Sequence, residues 1–166
     1  MKTDAQVISS SDELVIPWNL SEWADPAEIR QWVVTEIGTL DWEGPKLVAY
    51  LCAHPGYRPR MLLCLLTFAY ATGTFESDEI LRRCTQDEDY QKICDGDAPQ
   101  SPGALARFRR ENRGLLKWAL LQVLKRAMRA RFGEFRLPAG LKRSLVNAAV
   151  CRLDVARQMD RSGALL

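Results

Sequence analysis

An apolar run from Met61 to Tyr70 is the feature that most constrains how this chain can fold. Only Thr67 interrupts its ten residues, Pro59 precedes it, and Gly73 lies just beyond its end. Proline suits the first turn of a helix, and glycine is common just after the last turn. A helix that is apolar on most of its faces belongs in the centre of a core. We therefore predict a central helix over about 59–72 whose buried side chains include Leu62, Leu65, Leu66 and Phe68.

The rest of the chain has helical periodicity and almost no strand signal. Asp25, Pro26 and Glu28 form a typical helix start, and Ser101-Pro102 opens a long helix with a bend expected at Gly114. The sequence therefore predicts an all-α fold, a compact bundle of about seven helices with a helix-turn-helix-like core and an extended N-terminal arm. The predicted helices cover about 26–37, 45–53, 59–72, 77–84, 87–94, 101–132 and 139–160.

Three segments follow from this pattern. Residues 1–24 are predicted to form an N-terminal arm, because a polar start leads into a short apolar stretch around Pro17 and Trp18 that suits no central strand. Residues 25–137 are predicted to form the main helical domain. Residues 138–166 are predicted to form a C-terminal helix packed on that domain.

Charge is distributed very unevenly along the chain. Residues 1–102 hold 8 basic and 17 acidic side chains, whereas residues 103–166 hold 15 basic and 4 acidic ones, a net charge of +11. Such asymmetry indicates either an acidic partner, such as nucleic acid, or docking of the basic third on the acidic part of the same chain. The sequence leaves both interpretations open.

The basic side chains of the C-terminal third are the candidate DNA contacts. Arg109, Arg113 and Lys117 are spaced by four and share one helix face, and Lys125 and Arg129 share a face in the same way. Arginine and lysine bind phosphates, and arginine can also read a guanine edge in the major groove. The alternative is an ordinary solvated face or, for the second basic cluster, pairing with the acidic runs around Glu79 and Asp87–Asp89 in this chain or in a partner. The second basic cluster consists of Lys125, Arg126, Arg129, Arg131 and Arg136, followed by Lys142 and Arg143. The full set of predicted DNA-binding residues is Arg107, Arg109, Arg110, Arg113, Lys117, Lys125 and Arg129.

No pattern predicts an active site, a cofactor or a metal site. The five cysteines, at positions 52, 64, 84, 94 and 151, contain no Cys-x-x-Cys pair, and no glycine-rich phosphate loop is present. The carboxylates after Arg110 lie in no strand-like context, so a two-metal site is not expected. We predict a soluble, cytoplasmic, non-catalytic protein without a cofactor and without a membrane segment.

The order of residues from Tyr57 to Arg110 resembles the N-terminal domain of InsH-type bacterial insertion-sequence transposases. The chain differs from that pattern at Glu76-Ser77-Asp78 and at Gln100-Ser101-Pro102. In that family three metal-binding carboxylates follow in a separate catalytic domain, so the resemblance implies a DNA-handling module without the chemistry. The matching positions are Tyr57, Pro59, Leu62, Leu63, Leu65, Leu66, Tyr70, Gly73, Ser77, Ile80, Cys84, Tyr90, Pro99, Phe108 and Arg109.

The sequence thus predicts a stand-alone, transposase-derived DNA-binding protein. The alternative is an adaptor or regulatory subunit of a mobile-element or defence complex, which kept the fold and lost DNA affinity. A remnant of a truncated transposase is a third interpretation. Whether the face formed by residues 107–117 is exposed, or is buried against acidic side chains, distinguishes the first two.

Overall fold

The computed structural model describes residues 15–53, 58–133 and 139–164, and within these ranges the chain is helical with no strand. This confirms the predicted all-α fold. None of the described helices is both long enough and apolar enough to cross a membrane. The helices are α1 (Pro26–Gly38), α2 (Pro45–Ala53), α3 (Pro59–Ala71), α4 (Ser77–Gln86), α5 (Glu88–Cys94), α6 (Pro102–Glu111), α7 (Arg113–Phe132) and α8 (Ala139–Ala164), preceded by a 3-10 turn at Leu20–Glu22.

Helix α3 forms the centre of the fold, as its apolar run predicts. Every residue of this helix except Arg60 is buried, and it packs against α1, α5, α6, α7 and α8. Leu65 and Leu66 are completely buried, and Leu62 and Phe68 are nearly so. An all-round apolar helix is stable in water only when neighbours cover it on every side, and here five helices do so.

The long helix predicted over 101–132 is in fact two helices, α6 and α7. The break lies at Asn112, whose backbone leaves helical geometry and whose side-chain amide donates to the carbonyl of Phe108. Asparagine favours such local hydrogen bonds over a continuous helix, and this explains the stop. Gly114, where the sequence predicts a bend, lies inside the first turn of α7.

The described part of the N-terminal arm lies along the body. The carbonyl of Pro17 accepts a hydrogen bond from the buried Arg152 guanidinium at 2.6 Å, and Asn19 forms an isolated antiparallel bridge with Thr72. Gly73 makes this approach possible, because a Cβ there would lie 3.3 Å from the carbonyl oxygen of Trp18 and its φ is +81°. The same glycine therefore ends α3 and accommodates the arm.

Candidate nucleic-acid interface

Helices α6, α7 and α8 carry the basic third of the chain. Helices α7 and α8 pack side by side and run in opposite directions. Only the short segment between Gly133 and Ala139 connects the end of α7 to the start of α8, while Arg113 at the start of α7 pairs with Asp154, far along α8. The final turns of α7 and the first turns of α8 therefore lie at the same end of the molecule.

Arg109 does not lie on the surface. Its side chain is 5 % exposed and forms an ion pair with Asp160 of α8, whose other contacts are the backbone amide and the hydroxyl of Ser77, at 3.0 and 2.7 Å. Burial is the largest single influence and lowers the pKa of Arg109, but the interactions with Asp160 and Tyr70 together outweigh it, so its pKa lies above the usual value. The Arg109–Asp160 pair links α6 to α8, and Asp160 links both helices to α4 through Ser77.

Two more of the predicted contact residues are engaged by carboxylates. Arg107 pairs with Glu111 one turn later, with 2.9 Å between Nε and Oε1. Arg113 pairs with Asp154 at 2.9 Å, a carboxylate that Arg157 also approaches. Both pairs are partly exposed, so they hold their charges close to the surface without burying them.

These pairs use up the negative charge of the C-terminal third. Of its four acidic residues, Glu111, Asp154 and Asp160 are each paired with an arginine from the same third, and Glu134 lies outside the described residues. Apart from the buried Arg152, which donates only to backbone carbonyls, eight described cations of this third form no ion pair with any described residue, and all are exposed except Lys125, which is half-buried. They are Arg110, Lys117, Lys125, Arg129, Arg131, Lys142, Arg143 and Arg161.

No described carboxylate of the acidic part, residues 1–102, forms an ion pair with these eight cations. Glu79 pairs with Arg82 and Arg83, and Glu88 pairs with Lys92. Three further carboxylates of this part also pair with cations from residues 1–102. These pairs are Asp87 with Arg83, Asp89 with Arg30, and Asp97 with Arg58.

Among the described residues, the second basic cluster forms no ion pair with the acidic runs around Glu79 and Asp87–Asp89, so the expected pairing within this chain is wrong for the residues that the structure describes. The physical reason is proximity, because the acidic runs have cations within one helical turn or on a packed neighbour. A single described ion pair joins the basic third to the acidic part, between Arg126 and Glu36, with 2.6 Å between Nε and Oε1. Folding thus leaves the charge asymmetry of the sequence largely in place.

The unpaired cations are densest where α7 ends and α8 begins. Arg129 and Arg131 lie in the last turn of α7, where the partial negative charge of the helix end favours them. Lys142 and Arg143 lie near the first turn of α8, which carries no acidic residue. Positive side chains are unfavourable at a helix N-terminus. Their position adds nothing to helix stability and is consistent with an external anion at this end.

At the opposite end of α8 a cleft of about 420 Å³ lies between the starts of α4 and α6 and the last turns of α8. Arg110, Arg157 and Arg161 line it together with two carboxylates, Glu76 and Asp78. The mixed charge of these walls distinguishes the cleft from the other end of α8, where the described charged residues of the last turn of α7 and the first turns of α8 are all cations. The Arg109–Asp160 pair also lines this cleft.

A second groove, of about 510 Å³, lies on the other side of α3. Its apolar wall includes Val34, Trp42 and Ile93, and its cations are Arg58, Arg60 and Lys92. Val34 is 40 % exposed, and the Arg60 guanidinium lies over the Trp42 ring, 5.9 Å from its centroid. An exposed aliphatic side chain beside a tryptophan and arginines has the composition of a protein-binding surface.

Comparison of the chain with protein-family models, with curated proteins and with solved structures gives no match. The resemblance to the InsH-type transposase domain therefore stays a prediction from the sequence.

Proposed function

We propose that this chain is a non-catalytic DNA-binding protein that contacts phosphates through the unpaired cations of α6, α7 and α8. The observation that supports this is the balance of ion pairs. The described carboxylates of the basic third are all paired within that third, and among the described carboxylates of the acidic part only Glu36 pairs with a cation of the basic third. A positive surface that the fold itself does not neutralise attracts a polyanion.

The kind of contact follows from which residues remain available. Arg110, Lys117 and Arg129 are exposed and have no described ion-pair partner, so they can displace counterions from phosphates. Arg109, one of the predicted DNA-binding residues, is enclosed between α6 and α8 and is left out of the interface. We therefore expect contact with the phosphate backbone to dominate, with little dependence on base sequence.

The test is a titration of duplex DNA at several salt concentrations, with a triple variant Lys117→Ala, Lys125→Ala and Arg129→Ala. The logarithm of the association constant should fall linearly with the logarithm of salt, and the variant should bind weakly with a flatter slope. Arg82→Ala combined with Lys92→Ala is the matched control, because it removes exposed cations from the acidic part. Equal loss of binding in both variants, or no salt-dependent binding by the parent protein, would contradict the proposal.

The groove beside Trp42 favours a second function, that of a protein-interaction adaptor or regulatory subunit. Its exposed Val34 and its arginines would suit a partner helix with apolar and acidic side chains. Val34→Glu should abolish capture of such a partner from cell extract without altering DNA affinity. The opposite result, in which the three α7 substitutions but not Val34→Glu abolish capture, would place any partner on the basic surface.

A further inference from the structure

Two cysteine side chains meet where α4 and α5 pack together. The Sγ atoms of Cys84 and Cys94 are 3.5 Å apart, and both residues are free thiols. The side chains belong to the hydrophobic core, with relative exposures of 5 % and 2 %. Ten residues separate them along the chain, so the sequence spacing gives no sign of this contact.

Both cysteines are followed along the chain by exposed residues. Thr85 and Gln86, which follow Cys84, are exposed, as are Asp95 and Gly96, which follow Cys94. Asp95 and Gly96 form a turn in which both residues have positive φ, 49° and 79°. A local opening of this turn would expose Cys94 without unfolding α3. Cys64, by contrast, is buried in the central helix without a described thiol neighbour.

The surroundings make the two sulfur atoms chemically unequal. The hydrogen bond with Cys84, and then the charge of Arg58, lower the pKa of the Cys94 thiol against its burial and the opposing charge of Asp97. The same hydrogen bond, together with burial, raises the pKa of Cys84. Arg58 is held beside the pair, since its Nη1 donates to the Cys94 carbonyl at 3.2 Å. A thiolate near a cation is the reactive form of cysteine, and a neighbouring thiol can resolve its oxidation product.

We propose that Cys84 and Cys94 form a reversible thiol–disulfide modification site for which a hydroperoxide is the oxidant. The Cys94 thiolate attacks one peroxide oxygen, the O–O bond breaks, and the released oxygen takes up a proton to leave as water or an alcohol. The Cys84 sulfur then attacks the Cys94 sulfenic acid, forms the S–S bond and expels hydroxide, which leaves as water with the proton of Cys84. The two sulfurs lose two electrons and the peroxide gains them.

Forming this bond requires only a small movement. A disulfide is about 2.05 Å long, so the sulfurs must approach by about 1.5 Å from their present separation. The bond would join the second half of α4 to the last residue of α5 and close a short loop, which stabilises the pair of helices by constraining the unfolded chain. This inference is independent of the proposed DNA binding.

The experiment uses the full chain, treated under native conditions with hydrogen peroxide, freed of peroxide, denatured, alkylated and mapped by mass spectrometry after tryptic digestion. Lys92 lies between the two cysteines, so cleavage there separates them unless a disulfide joins the peptides. The expected result is a joined pair that dithiothreitol separates, with Cys64 still alkylated as a thiol. Alkylation of Cys84 and Cys94 as free thiols while Cys151 is oxidised would overturn the proposal, as would disulfides scrambled among all cysteines.

Single variants then assign the order of steps. In Cys84→Ser the sulfenic acid on Cys94 should persist and react with dimedone, whereas in Cys94→Ser the Cys84 thiol should stay reduced. Cys151→Ser, at an exposed cysteine, is the matched control and should leave the yield of the Cys84–Cys94 disulfide unchanged. A dimedone adduct on Cys84 in Cys94→Ser, with none on Cys94 in Cys84→Ser, would overturn the assigned roles. The mapping of the disulfide uses the parent protein and needs no variant. The proposal can therefore be tested even if one of the variants fails to fold.

Discussion

Arg109 and Asp160 form an ion pair in the interior, between α6 and the last turns of α8. Their side chains are 5 % and 14 % exposed, and Asp160 also accepts hydrogen bonds from the first residue of α4, Ser77. Three helices distant in sequence thus meet at one carboxylate. Because both charges have left water, each depends on the other much more than at the surface.

Asp160→Ala should therefore destabilise the protein by about 3–5 kcal/mol, since Arg109 would remain buried without its counter-charge. Asp154→Ala is the matched control on the same helix, because its pair with Arg113 is about 40 % exposed. A partly exposed pair contributes only about 0–1 kcal/mol. Chemical denaturation of both variants gives the comparison, and equal losses would show that Arg109 finds another partner or becomes hydrated.

Replacing both partners tests whether the ion pair itself stabilises the fold, or whether each buried charge only needs the other as its counter-charge. Arg109→Met combined with Asp160→Leu should cost less than Asp160→Ala alone, because apolar side chains carry no desolvation penalty. The same denaturation measurement applies. A double variant less stable than Asp160→Ala would mean that the hydrogen bonds to Ser77 are the larger contribution.

Cations with and without ion-pair partners should behave differently in DNA binding. Lys117→Ala removes an unpaired, exposed charge, so it should flatten the plot of log affinity against log salt by about 0.9. Arg107 is held by Glu111, and Arg107→Ala should therefore change the slope less. Binding isotherms at matched salt concentrations provide the measurement, and identical slopes for both variants would argue against a localised phosphate contact.

Arg152 should control the attachment of the N-terminal arm. Its guanidinium is buried, donates to the carbonyls of Pro17, Tyr70 and Ala148, and lies over the Trp18 ring. Arg152→Ala removes all of these contacts, so the amides of residues 18–20 should exchange hydrogen faster while those of α1 stay protected. Hydrogen-exchange mass spectrometry can follow both segments. Unchanged exchange at residues 18–20 would show that the Asn19–Thr72 bridge alone holds the arm.

The pattern of helix starts and stops predicts most of this fold. Asp25 caps α1, Ser101 caps α6, and Gly73 ends α3 with a positive φ, each as its residue type suggests. These signals act within a few residues, so sequence alone reveals them. The break at Asn112 was missed, because asparagine is tolerated inside helices and only its contact with Phe108 shows the stop.

The candidate site was predicted only in part, since spacing shows which residues share a face but not what covers that face. Arg109 follows Phe108 directly and Leu105 by four, and both neighbours are completely buried. A charged residue at an apolar-face position is a signal of a buried pair, and Asp160, four residues after the buried Ala156, has the same signature. Their pairing across 51 residues depends on how α6 and α8 pack, which periodicity cannot give.

The packing of α3 can be tested by shortening one of its buried side chains. Leu66 is completely buried in the central helix, and Leu66→Ala should cost about 2–5 kcal/mol through lost transfer energy and the cavity left behind. Leu115, which is only partly buried against the core, is the control, and Leu115→Ala should cost less. Equilibrium unfolding measures both, and a loss at Leu66 no larger than at Leu115 would contradict a central position for α3.

The last prediction is an alkaline loss of stability that depends on Cys64. Burial raises the pKa of the Cys64 thiol from 9.0 to about 11, partly opposed by the charge of Arg60. Between these two pH values the unfolded chain has lost the proton and the folded protein still holds it. Rising pH in this range therefore favours the unfolded state. The contribution of the protonated Cys64 thiol to the free energy of unfolding is complete below pH 9 and is lost as the pH rises toward 11. Two pKa units correspond to about 3 kcal/mol.

Cys64→Ala removes the ionisable thiol. Between pH 9 and 11 the free energy of unfolding of this variant should therefore fall by about 3 kcal/mol less than that of the parent protein. This difference does not depend on how much the substitution changes stability at neutral pH. Tyr70, whose pKa burial raises to about 12, should leave a residual loss at higher pH in both proteins. Cys151→Ala, at an exposed cysteine, should follow the parent curve. Denaturant unfolding across this pH range is the measurement. Parallel curves for the parent and Cys64→Ala would mean that the Cys64 thiol ionises as readily in the folded protein as in the unfolded chain.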